Sequence, residues 1–140
     1  MADQHLSLIT LTIHDLSRSR RFYGEGFGWK PVYESQEVLF FQMNGLVLAL
    51  WLAGPMVADL GRPDGQSNGF ALAHNVAAPE EVDRLVARLA EHGGTVLREP
   101  DEPPHGGRRA YVADPDAHAW EIAWNPAWRI DPEGRVTFGT

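Results

Sequence analysis

The chain repeats itself. Residues 6–13, LSLITLTI, interleave Leu and Ile with Ser and Thr, the period-two pattern of a strand. Asp15 then precedes LSRSRRFYGEGF, where Leu16, Ser19, Tyr23 and Phe27 fall near one helical face. Asp15 is placed to cap this helix, and Gly26 and Gly28 to stop it. A short strand is expected at 29–33. EVLFFQM (37–43) and LVLALWL (46–52) read as two strands joined by Asn44-Gly45, the sequence of a type I′ hairpin turn. After a Gly/Pro-rich stretch the order returns. FALAHNV (70–76) reads as a strand. Pro79 opens a helix whose Val82, Leu85, Val86 and Leu89 keep one packed face, and Gly93-Gly94 end it. Three short strands follow at 95–97, 109–113 and 119–124.

The order is therefore βαβββ twice, and a repeat of this length governs the whole architecture. The expected organisation is a first module at about 6–53, a linker at 54–69, a second module at about 70–126 and a terminal hairpin at 127–140. The first strands align at an offset of 63, Leu8 with Ala71 and Ile13 with Val76. The last strands align at 73, Leu48 with Glu121 and Trp51 with Trp124, with the extra ten residues in the loop 98–107.

Composition removes several function classes. Twelve Lys and Arg against nineteen Asp and Glu give a net charge of -7. Nucleic acid and anionic membrane surfaces both need a basic footprint, so neither is an expected partner. The absence of Cys excludes thiolate metal sites, iron–sulfur clusters and thiol nucleophiles. The longest apolar run, Leu46 to Ala53, falls short of the ~20 residues that span a bilayer. The first five residues lack a signal-peptide pattern, so a cytoplasmic location is expected.

Two segments resemble a known family. ITLTIHDLSRSRRFYGEGFGW resembles the opening strand, DL-x-x-S turn and FY helix of the vicinal oxygen chelate superfamily, which holds glyoxalases, extradiol dioxygenases and bleomycin-resistance binding proteins. GGRRAYVADPDAHAWEIAWNP resembles its closing motif, DPDGH-x-x-E, with Ala117 where the motif has Gly. The resemblance implies an α+β fold: two tandem βαβββ modules forming curled mixed sheets around a shared cavity, in a homodimer. It also implies where metal ligands would stand, on the first and last strands of each module. Those positions are Leu8, Leu48, Ala71 and Glu121, and of these only Glu121 can hold a metal. A catalytic cation needs about three protein ligands, so no cofactor is expected, with a divalent metal as the alternative.

On that alignment, Leu48 marks the cavity face of the first module. Hairpin pairing then carries Phe41 and Leu50 to the same face, as an apolar wall with Leu39, Met43 and Leu46. Arg109 and Tyr111 share a parity opposite to Ala110 and Val112. With Glu121, Asn75, Thr10 and Thr12 they form a polar wall. The bland alternative is an Arg109–Glu121 ion pair closing a small core. His74 shares the parity of Leu72 and Val76 and reads as a satisfied core histidine. His118 reads as a brace of its turn, His105 as an exposed loop residue, and Trp51, Trp120 and Trp124 as core.

The leading expectation is a metal-free binder of a small amphipathic molecule. The alternative is a lyase, isomerase or dioxygenase-like enzyme of the same fold, using Glu121 as general base beside Arg109 or Tyr111. A third reading is an interaction module with a filled cavity.

Overall fold

A computed structural model describes residues 1–61, 63–65 and 69–138. The first half holds β1 (Leu8–Ile13), α1 (Leu16–Ser19) running into a π-helix (Arg20–Gly26), β2 (Tyr33–Glu34), β3 (Val38–Gln42), β4 (Val47–Leu52) and α2 (Ala53–Leu60). The second holds β5 (Leu72–Asn75), α3 (Pro79–Glu91), β6 (Thr95–Asp101), β7 (Arg108–Ala113), β8 (Ala119–Trp124) and a terminal hairpin of β9 (Arg129–Ile130) and β10 (Val136–Thr137). Two four-stranded mixed sheets result, in the orders β1-β4-β3-β2 and β5-β8-β7-β6. In each, the first strand lies parallel to the last and the remaining pairs are antiparallel. The fold is α+β, as expected.

Local chemistry sets the helices. Asp15 caps α1 by accepting the Arg18 N–H at 2.9 Å. The helix then widens into π turns, closed by the Phe27 N–H on the Phe22 carbonyl. This widening lets two successive aromatics, Phe22 and Tyr23, both become fully buried. α3 opens on Pro79 with Glu80 and Glu81 in its first turn, where they complement the helix dipole. It passes so close to the π-helix that a Cβ on Gly26 would sit 3.0 Å from Leu89.

Three expectations are corrected. The stretch read as linker contains α2, because Pro55 sits in a first turn, where it costs no hydrogen bond. The Asn44-Gly45 hairpin closes by the Met43 N–H to Leu46 carbonyl bond at 2.8 Å, but only Gly45 has positive φ, so the turn is not type I′. The strand register also differs from the alignment. An offset of 63 sets Ile9 on Leu72; Ile9 pairs Leu48, and Leu72 pairs Trp120. Leu48 therefore corresponds to Trp120, and Ala49 to Glu121, an offset of 72 rather than 73.

Both sheets bury one face against the same helical layer. Leu11, Ile13, Leu39, Phe41, Leu48 and Leu50 of the first sheet join Ala110, Val112, Trp120 and Ile122 of the second in one cluster with Phe22, Tyr23, Val82, Val86 and Leu89. The Tyr23 ring lies 6.0 Å from both Phe41 and Trp120, so it touches both sheets. Its hydroxyl donates to Asp114 Oδ2 at 2.6 Å and accepts from Trp120 Nε1 at 3.0 Å. Each buried Leu or Phe contributes ~1.5–3 kcal/mol from burial, so this shared layer holds the two sheets together. Among the described residues, no helix is long and apolar enough to cross a membrane.

Candidate functional site

A shared core between the sheets leaves each with an open face pointing away from it. Strand alternation decides which side chains stand there. On the second sheet, Tyr111 lies directly opposite Glu121, with Ala73 on the other flank of Glu121. One row further on, Arg109 and Asn75 flank Ala123. Arg109, Tyr111, Glu121 and Asn75 are thus on one face. Alanines at 73 and 123 keep the surface between them low.

Arg109 does not pair with Glu121. Its guanidinium, 15% exposed, is held by Asp101, directly across from it on β6. Asp101 also accepts from Arg98 Nη2 at 3.0 Å. The ion pair considered from sequence is therefore replaced by an Arg98–Asp101–Arg109 chain. β6 extends to Asp101, four residues beyond its expected end, which is what supplies this acid. Glu121 makes no ion pair among the described residues, and its half-buried carboxylate keeps its acceptor capacity for something else.

The first sheet's open face carries Leu8, Thr10, Ala49 and Trp51, with Tyr33, Val38 and Phe40 beyond them. Together with Ser35 and Glu37 they enclose a hollow of about 320 Å³. Trp51 donates from Nε1 to Glu37 Oε2 at 3.2 Å, and so lines this hollow rather than the core. Thr12 stands on the same side but is covered by α2, its hydroxyl donating to Met56 Sδ at 3.0 Å. Thr10 and Thr12 both border a small cavity of about 80 Å³ under α2.

The expected apolar wall lies elsewhere. Phe41 and Leu48 are each 2% exposed, and Leu50 is fully buried, because their parity points them into the shared core. Of the residues that replace them, Leu8 is named from sequence only as a metal-ligand position, and Val38, Phe40, Ala49 and Trp51 are not read there as lining a site. β3 and β4 are apolar on both faces, so their alternation gives no phase. The usable signal was β1: Ile9, Leu11 and Ile13 alternate cleanly with Thr10 and Thr12, and parallel pairing transfers that phase to β4.

The donor set does not fit a metal held at the positions the resemblance implies. Leu8 and Ala71 offer no ligand atom. The corrected register places Ala49, not Leu48, opposite in role to Glu121, which leaves one carboxylate. His14, Asp64 and Asp116 do meet, at the surface. Both ring nitrogens of His14 face carboxylates, at 2.6 Å to Asp64 and 2.8 Å to Asp116, and these contacts hold its pKa above 6.5.

A family profile described as Glyoxalase/Bleomycin resistance protein/Dioxygenase superfamily matches residues 5–122. The chain belongs to this superfamily. Among its relatives, the crystal structure of a glyoxalase-related enzyme from Fulvimarina pelagi superposes with a TM-score of 0.95. It is 54% identical, over 98% of this chain and 99% of that one. The metallothiol transferase FosB of Lysinibacillus sphaericus is 26% identical over 122 residues, 87% of this chain and 83% of its own. The lactoylglutathione lyase GLX1 of Arabidopsis thaliana is 29% identical over 122 residues, and there the match spans only 42% of the relative's length. The superfamily's βαβββ repeat thus carries, in this member, an open polar face with Glu121 and an open apolar hollow on opposite sides of one core.

Proposed function

We propose that this superfamily member binds a small amphipathic molecule without a metal, in a homodimer that sets the hollow of one chain against the Glu121 face of the other. The observation that carries the reading is the complementary pair of faces. One presents an aromatic and aliphatic hollow of about 320 Å³. The other presents Glu121 with no ion pair among the described residues, and with Tyr111 across from it. A ligand pocket of ordinary kind combines an apolar lining with a few polar groups that fix orientation. Neither face encloses a ligand alone, and in one chain they point apart, so a second copy supplies the closure. Thr10 on the hollow side and Asn75 and Arg109 on the polar side complete the contacting set.

A second reading is favoured by the Glu121–Tyr111 juxtaposition and by the enzymatic names of the relatives. Glu121 would take a proton from a carbon acid while the Tyr111 hydroxyl donates to the developing oxyanion. A melting-temperature screen of metabolites against chelator-dialysed protein tests both readings. Stabilisation without turnover supports the binder. Conversion of the stabilising compound supports the enzyme. Stabilisation that returns only with added Zn, Ni, Mn or Fe refutes the metal-free account.

A further inference from the structure

A further large cleft adjoins the open face of the second sheet, with which it shares Ala73 and Asn75. It runs along the free edge of β5, between that strand, the Trp29–Lys30 segment and the terminal hairpin, and measures about 580 Å³. The hairpin covers it like a flap, fixed where the Asn44 side chain donates to the Glu133 carbonyl at 2.9 Å. It shares Trp29, Met43 and His74 with an adjoining apolar recess of about 190 Å³ that reaches Leu48 and Trp120.

Three groups around this cleft lack the partners that a purely structural space would give them. Lys30 is the only lysine of the chain and forms no ion pair among the described residues, whereas Arg98, Arg108 and Arg109 are each paired with an aspartate. His74 is half-buried, edge-on to Phe27 at 5.6 Å and tilted to Trp29 at 6.0 Å. It faces the core side as its parity predicts. No hydrogen bond among the described residues offsets its burial, however, and burial pushes its pKa below 6.5, which favours the neutral ring. β5 is bonded on one side only. The Val76 N–H turns back to Ala123, so the alternate backbone groups of Ala73 and Asn75 point to the cleft. Lys30 and Ala73 are exposed, whereas the half-buried His74 ring without a partner costs free energy that a ligand recovers.

We propose that this cleft is a second small-molecule site, one that takes a planar aromatic carboxylate. The ring enters beside Trp29 and lies against the apolar recess. The carboxylate stays at the mouth with Lys30, within reach of the edge N–H groups of β5. Aromatic faces supply the ring contact, and an unpaired ammonium supplies the charge selection that an acidic chain otherwise opposes.

The test uses the whole protein titrated with 2-naphthoate, 2-naphthamide and decanoate, followed by calorimetry and by amide chemical shifts. The expected result is saturable naphthoate binding at one per chain, with shifts centred on Trp29, Lys30, His74 and Val136. The amide should bind at least tenfold more weakly, and Lys30→Met should weaken naphthoate tenfold or more; Lys30 is exposed, so this variant folds. Equal binding of naphthoate and naphthamide would overturn the charge assignment and with it the proposal. Decanoate equal to naphthoate would overturn the aromatic class. Absence of saturable binding at millimolar concentration would overturn the site itself. Shifts centred on Glu121 and Tyr111 would place the ligand on the open face and overturn it equally.

Discussion

Ala117 holds a backbone conformation that its side chain resists. Its φ is 70°, and it is the only non-glycine residue with positive φ among those described. An L-residue in the left-handed region costs ~1–2 kcal/mol, yet the turn needs it, because Asp114 accepts from the N–H groups of Asp116 and His118 at 2.9 and 2.8 Å. Ala117→Gly relieves the strain and loses part of the gain to unfolded-chain entropy. The expected net stabilisation is about 0.5–1 kcal/mol by urea denaturation; a destabilised variant would contradict the strain. His14 gives a pH dependence. Only an imidazolium donates from both ring nitrogens, as Asp64 and Asp116 require. Its folded pKa is raised, so its contribution is fully present below 6.5 and is lost as pH rises through the folded value. The melting temperature of the wild type minus that of His14→Gln should therefore shrink as pH rises above 6.5 and through the raised folded value. A difference that stays constant or grows would show that His14 is not held charged.

At the scale of elements, one residue of register decides which side of a strand is core. Leu48 is 2% exposed and Leu8 is 48% exposed. Leu48→Ala should cost about 2–5 kcal/mol, and Leu8→Ala less than about 1 kcal/mol, in denaturant unfolding. The reverse order would restore the alignment that put Leu48 on the open face. The elements themselves were legible: Asp15 as cap, Pro79 in the first turn of α3, the strand at 119–124 and the βαβββ order all follow from local chemistry. The second-half face was legible too, because the charged and phenolic side chains of Arg109 and Tyr111 alternate with the small apolar Ala110 and Val112. Three things were not. α2 was hidden because Gly54-Pro55 reads as a loop, although proline costs nothing in a first turn. The partner of Arg109 was hidden because it lies at the end of an irregular strand, with register shifts between Val96 and Asp101. The phase of β3 and β4 was hidden because both of their faces are apolar.

The whole molecule is two sheets back to back on one helical layer, with their other faces turned outward. In the proposed function a second copy closes the pocket that neither face closes alone. Sedimentation at tens of micromolar should show a dimer, the range in which a ~1,600 Å² interface holds. A monomer at that concentration would remove the two-chain pocket. It would leave the cleft along β5 as the site one chain completes by itself. The acidic net charge also means that an anionic ligand is drawn in only where a local cation is free, whereas a neutral amphipathic ligand meets no such barrier at the open faces. In the proposed function Glu121, unaided by a metal, anchors such a ligand. Calorimetric titration of the best compound from the melting screen, into chelator-dialysed wild type and Glu121→Gln, tests it most directly. Affinity should be unchanged after dialysis and fall tenfold or more, ~1.4 kcal/mol, in a Glu121→Gln variant that unfolds at the wild-type denaturant midpoint. Binding that needs added metal, or that Glu121→Gln leaves intact, would contradict it.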